Sequence, residues 1–202
     1  RSIDLEGLAN HRGSAFGSYL TPQPTQIDFE NALAVQLLRV ELGDNVLLED
    51  ESRLIGKINL PVPLQQKMAQ APIILLEESV SARTNRIFDE YIVSQWQEYQ
   101  RCLGLYGYVA FEQYLLKAID AIRKRLGDVA HHELRHLMTS ALELQRDNND
   151  LELHKIWITR LLVDYYDPMY AYQLSKKSDR IRSTGSWDEL LSWYRTGQHL
   201  LT

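Results

Sequence analysis

Ala71-Pro72-Ile73-Ile74-Leu75-Leu76-Glu77 is an unbroken apolar run closed by a proline and an acid. A run without a polar face predicts a strand covered on both sides, which is the habit of parallel sheets. Working outward, Val46-Leu47-Leu48 and Ile3-Asp4-Leu5 are short apolar runs that also read as strands. Between them lies helical spacing: Asp28 as an N-cap, then Leu33, Val35, Leu37, Leu38 and Val40, with Gly43 as the stop. A shorter helix is predicted from Leu64 to Gln70, after a loop from Ile55 to Pro63. Strands alternating with helices make a βαβ rhythm, so residues 1–86 are predicted to be α/β, with parallel strands near 3, 47 and 74.

From Ile87 the pattern changes. Helices are predicted over Ile87–Arg101, Tyr106–Leu126, Asp128–Gln145 and Leu151–Tyr166, with Asp167-Pro168 breaking the last. A short helical or irregular piece follows at Met169–Lys177, then a late strand near Ser178–Ser183. Ser186-Trp187-Asp188-Glu189 is a capping box that opens a final helix. Residues 87–202 are thus predicted to be a mainly helical region attached to the α/β part.

The 202 residues are 45% hydrophobic and 24% charged, enough to bury a core and not disordered. A net charge of −5 excludes a wholly basic nucleic-acid binder but leaves room for a local basic patch. The single cysteine, Cys102, excludes an internal disulfide and fits a reducing compartment. No apolar run is long enough to span a bilayer and no signal peptide is legible, so a cytoplasmic location without membrane contact is expected. The chain begins at Arg1, and a strand is predicted at once, which reads as a piece of something longer.

Chemistry-bearing residues concentrate in a few places. The loop after Ile3-Asp4-Leu5 holds Glu6, His11, Arg12, Gly13 and Ser14, with Gly7 and Gly17 beside them. A loop leaving the C-terminal end of a strand is where α/β proteins bind ligands. Val46-Leu47-Leu48 runs into Glu49-Asp50-Glu51-Ser52-Arg53, the shape of a Walker B strand, so Asp50 and Glu51 are the expected Mg²⁺ ligands. Arg83 and Arg86 share a helix face just after the third strand and suit a phosphate. Two basic clusters, Arg123-Lys124-Arg125 and Lys176, Lys177, Arg180 and Arg182, suit backbone phosphates; Tyr170 and Tyr172 beside the second suit unpaired bases. His132-Glu133-Leu134-Arg135-His136 spells a zinc-peptidase motif. Arg135 inside it and the lack of a third ligand make it a coincidence of letters, so no zinc is expected. Cys102 has no base near it in sequence and is read as incidental. No G-x-x-x-x-G-K-[ST] occurs. If the sheet is of P-loop type, its phosphate cradle lies outside these residues.

Several blocks together carry a resemblance: D-L-E-G-L-A-N-H-R-G-S-A-F-G at 4–17, Q-P-T-Q and F-E-N within 23–31, L-E-D-E-S-R-L-I-G at 48–56, D-E-Y at 89–91, and Y-Y-D-P-M-Y-A-Y-Q-L-S-K-K at 165–177. The chain resembles the tRNA 2-selenouridine synthase family, in its portion after a rhodanese domain and a Walker A loop. The resemblance implies a bacterial transferase that converts wobble 2-thiouridine to 2-selenouridine through a geranylated intermediate. Selenophosphate and geranyl diphosphate would be co-substrates, with tRNA and the rhodanese domain of the same chain as partners. The family's essential cysteine has no counterpart here, so no catalytic role carries over, and the isolated segment is expected to be inactive. Glu6, His11, Arg12, Gly13, Ser14, Arg53, Arg83 and Arg86 become candidate diphosphate or tRNA contacts. Two other readings stand beside it: a small-molecule P-loop kinase or NTPase, and a tRNA-binding module without catalysis.

Overall fold

The computed structural model describes residues 1–196. The chain opens with helix α1 (Leu5–Ala9), capped by Asp4, whose carboxylate accepts from the Gly7 amide. Helix α2 (Gln26–Leu37) starts at Thr25, which caps the Asp28 amide. Strands β1 (Leu54–Ile55) and β2 (Ile58–Asn59) form a tight antiparallel hairpin. Its turn needs Gly56, at φ +60°, where a side chain would be strained. Helix α3 (Val62–Met68) leads to β3 (Ile73–Leu76) and then α4 (Val80–Ile87), capped by Ser79.

The helical half follows: α5 (Ser94–Leu103), α6 (Gly107–Ala121), α7 (Arg123–Leu126), α8 (Asp128–Asn148), α9 (His154–Leu161) and α10 (Asp167–Ser175). The chain ends its described part with β4 (Ile181–Gly185) and α11 (Trp187–Arg195), the latter opened by the expected Ser186/Glu189 capping box.

The α/β class holds, with a small parallel sheet and a mostly helical second half. The strands are distributed otherwise than expected. β3 pairs in parallel with β4, from the far end of the chain, with Ile73 opposite Ile181 and Leu76 opposite Gly185. The segments near 3 and 47 meet only in a parallel bridge, Ser2 to Leu47, held by Leu47 N–H to Arg1 O at 2.8 Å and Ile3 N–H to Leu47 O at 3.1 Å. Leu5 then turns into α1 because its amide goes to the Glu49 carboxylate at 3.0 Å instead of a strand partner. The β3 run is half-buried rather than covered on both faces, with Leu76 42% exposed.

Asp167-Pro168 does not end a helix either. The backbone passes from α9 through a wide π-type turn, Leu162–Tyr166, straight into α10, and Pro168 sits in the first turn of α10. There its missing N–H costs nothing. A second π-type turn, Phe88–Val93, joins α4 to α5. Such turns widen the helix by one residue and recur at functional sites.

Two apolar clusters hold these elements. One gathers Ile3, Leu5, Phe29, Leu33, Ile55, Ile58 and Leu60. The larger gathers Phe88, Ile92, Phe111, Leu115, Ile119, Leu134, Met138, Trp157 and Ile158, and takes in Phe16 from the opening loop. Phe16 therefore pins that loop onto the helical half. The Tyr114 hydroxyl donates to the Phe16 carbonyl and fixes it there.

Candidate functional site

Where the opening loop meets the helices lies a cleft of about 440 Å³. Its polar lining comes from Glu6, Arg12, Gly13, Ser14, Asp50, Glu51, Ser52, Arg83 and Arg125. Its apolar lining comes from Phe16, Ile87, Trp157, Ile158, Leu161, Leu162 and Met169, and Tyr91, Tyr166, Tyr170 and Gln173 line it as well. Both π-type turns contribute, through Tyr91 from the first and Leu162 and Tyr166 from the second.

Arg12 is the best-placed cation. Its guanidinium lies between the rings of Tyr19, at 4.3 Å, and Tyr91, at 4.6 Å. The aromatic faces hold the charge and orient the fork. Its Nη1 is buried and has no hydrogen-bond partner among the described residues. Arg83 Nε is buried and unpartnered in the same sense, although the other two nitrogens of Arg83 grip Asp167 at 2.5 and 2.9 Å. Buried polar groups are ordinarily paired, so two unmet guanidinium N–H groups lining one cleft mark a place for an anion.

Opposite them stand two acids. Glu6 and Glu51 hydrogen-bond to one another across Gly13, and burial, then the Glu51 charge, push Glu6 up to about 8. Burial raises Glu51 as well. Two carboxylates this close share a proton. Gly13 is required between them: its φ is +60°, and a Cβ there would lie 2.6 Å from Glu6 Oε1 and 2.8 Å from Glu51 Oε1. Ser14 lines the cleft together with Tyr91 and Tyr166, and its hydroxyl accepts from the Phe16 amide at 3.2 Å. Burial is the chief reason the Tyr91 hydroxyl is pushed up to about 12, so it stays a neutral donor.

The remaining expected site residues fall elsewhere. Asp50 is ion-paired to Lys177 at 2.5 Å, and among the described residues no group of three or more His, Cys, Asp or Glu side chains is gathered to hold a metal ion. His11 lies outside the cleft, packed against Gly17 and Gly56, and burial lowers its affinity for a proton. Arg53 is exposed, and Arg86 is ion-paired to Glu78. Arg123 pairs with Asp128 at 2.9 Å, Lys124 is exposed, and Arg125 reaches the cleft. Tyr170 lines the cleft with its ring stacked on Tyr166. Tyr172 is exposed and carries Lys176 Nζ 4.1 Å above its ring. Arg180 donates to the carbonyls of Met68 and Ala71, and Arg182 to that of Asp179. His132 and His136 are exposed, and Glu133 pairs with Arg160.

Sequence reasoning missed Tyr19, Tyr91, Trp157 and Asp167. Two of these lie in the blocks D-E-Y and Y-Y-D-P-M, where the only available signal was resemblance. Nothing local distinguishes Tyr19 or Trp157 from ordinary aromatic packing.

Fold and cleft define an α/β chain whose one cleft combines unmet buried guanidinium N–H groups with apolar side chains. Comparison with known proteins narrows that class. A family model described as the tRNA 2-selenouridine synthase AAA domain matches residues 1–200, and the chain belongs to that family. The tRNA 2-selenouridine synthase of Marinobacter nauticus is 47% identical over 197 residues, covering 96% of this chain and 54% of that protein. That of Shewanella halifaxensis is 47% identical over 95% of this chain and 53% of its own, and that of Shewanella sp. strain ANA-3 is 48% identical with the same coverage. The chain thus spans about half the length of the curated relatives it matches. No solved structure matches it.

Proposed function

We propose that this chain is the allylic-diphosphate and tRNA-binding part of an enzyme that converts wobble 2-thiouridine to 2-selenouridine. The donors are geranyl diphosphate, for an S-geranyl intermediate, and selenophosphate; the rhodanese domain of the longer protein supplies the thiol chemistry. One observation carries the reading: a single cleft joins two unmet buried guanidinium N–H groups to a wall of Phe16, Trp157, Leu161 and Leu162. A diphosphate with an apolar tail matches both kinds of lining.

The diphosphate lies against Arg12 Nη1 and Arg83 Nε. As its bond to the allylic carbon lengthens, charge gathers on the leaving oxygen and the guanidinium bonds strengthen. The apolar wall keeps water from the electrophilic carbon. A divalent cation fits Glu51 together with Glu6, displacing their shared proton, better than Asp50, which Lys177 occupies. Mg²⁺ held by one or two carboxylates and substrate phosphates would neutralise the leaving group. On this reading Lys124, Tyr172 and Lys176, all exposed, contact tRNA backbone and bases.

The test is calorimetric titration with geranyl diphosphate, inorganic diphosphate and geraniol. The intact ligand is expected to bind more tightly than either part. Arg12→Met is expected to weaken it by roughly 10–100-fold, the worth of a charged hydrogen bond, while circular dichroism stays unchanged. Equal affinity for geranyl diphosphate and inorganic diphosphate would refute the apolar half of the reading.

A further inference from the structure

His154 is fully buried on α9, and the chemistry above leaves it unused. Its Nδ1 accepts the indole N–H of Trp157 at 2.9 Å. An indole nitrogen can only donate, so Nδ1 is bare and the ring proton sits on Nε2. Nε2 donates to Gln145 Oε1 at 2.9 Å, and Gln145 is itself buried. The imidazole stands edge-on to the indole, at 78°. From the other side Phe16 stacks on the indole with ring centres 5.6 Å apart. Trp157 is therefore gripped by its nitrogen and by its face. Any swing of the indole would break the stack and leave a buried donor and a buried acceptor unpaired.

Trp157 and Phe16 are 2% and 4% exposed and line the same cleft as Arg12, Glu6 and Glu51. On the allylic-diphosphate reading, an anion fixed by Arg12 and Arg83 leaves its apolar tail against that stack. We propose that His154 is a positioning residue that locks Trp157 as the closed end of the cleft and so sets the longest apolar chain the site accepts. The inference rests on the allylic-diphosphate reading. It adds what fixes the chain length: the distance from the guanidinium pair to an indole that cannot move aside. A shorter tail leaves the inner wall unfilled, and a longer one collides with the ring.

The experiment is a binding series on the protein with dimethylallyl, geranyl and farnesyl diphosphates and inorganic diphosphate. In the unaltered protein, geranyl diphosphate is expected to bind about tenfold more tightly than either neighbour in the series, the usual scale of apolar-pocket discrimination. Trp157→Leu is expected to raise farnesyl affinity relative to geranyl about tenfold. His154→Phe, which keeps a ring but removes the acceptor, is expected to shift that ratio the same way. His154→Asn returns an acceptor to the Nδ1 position and is expected to restore the original ratio. Inorganic diphosphate should bind all of these alike, which a general loss of structure would not allow. An unchanged ratio in Trp157→Leu and His154→Phe overturns the proposal. So does an affinity in the unaltered protein that keeps rising through farnesyl diphosphate, a result that stands even if the variants do not fold. Failure of the unaltered protein to bind any allylic diphosphate would overturn the underlying reading as well.

Discussion

Protonating His154 would destroy the acceptor that holds Trp157, and burial already pushes this imidazole down from 6.5 to about 4. The unfolded chain therefore takes up the proton first. The stability due to neutral His154 is complete above about pH 6.5 and is lost as pH falls toward 4, amounting to about 3 kcal/mol at full effect. Urea unfolding of the protein and of His154→Asn at pH 7.5, 5.5 and 4.5 should show the gap between them narrowing as pH drops. A gap independent of pH would mean that the imidazole holds its proton equally well folded and unfolded. Gly13 makes the second residue-scale case. Gly13→Ala forces a side chain into the left-handed region and against two carboxylates. It should lower stability by about 1–2 kcal/mol, read as a fall in melting temperature. Trp157 and Tyr19 show why single residues were hard to read. Their roles depend on a ring 141 residues away for Trp157 (Phe16) and on a guanidinium clamped by a second, distant tyrosine for Tyr19.

At the scale of elements, the return of β4 to β3 is the least expected feature. Its partner strand is 108 residues away at the register pair Ile73–Ile181. Arg180, just before β4, donates to the Met68 and Ala71 carbonyls at 2.8 and 2.9 Å and so closes α3 and the start of β3 onto the tail. Arg180→Gln should cost about 2 kcal/mol of stability by leaving those acceptors unmet. It should also leave the salt dependence of tRNA binding untouched, because this guanidinium already has its partners. An unaltered melting temperature together with a flatter salt slope would assign Arg180 to phosphate instead. The Lys177–Asp50 pair makes a second tie between tail and opening segment. The two π-type turns do a different job. Each shifts the helix face by one residue, and Tyr91 and Tyr166 on these turns line the cleft with Ser14.

For the molecule as a whole, a net charge of −5 means that tRNA, on the proposed reading, would meet local positive surface rather than a general attraction. Lys124 and Lys176 are exposed, and no ion pair joins either to an acid among the described residues. Replacing each by Gln should lower tRNA affinity and reduce the log–log salt slope by about one unit per lost phosphate contact. Filter binding from 50 to 200 mM salt is the measurement; affinity lost with the slope unchanged would argue against backbone contacts. No helix among the described residues is long and apolar enough to cross a membrane.

The α/β class, the helical second half and the Ser186 capping box were all legible in the chain, because periodicity and caps are local properties; local pattern alone puts the start of α2 three residues late, at Asp28, where Thr25 is the cap. The polar opening loop was legible as well, and its Glu6, Arg12, Gly13 and Ser14 do meet in one cleft with Arg83 and Glu51. What no local pattern held was the pairing. Ile73–Leu76 looks alike whether its neighbour is the segment near 47 or the one near 181, and only the docking of Arg180 and α11 against it settles the choice. Asp50 and Glu51 are adjacent in sequence, yet one faces Lys177 and the other shares a proton with Glu6. A carboxylate's role is set by the charges and burial around it, and those arrive from residues 6 and 177 only once the chain has closed on itself.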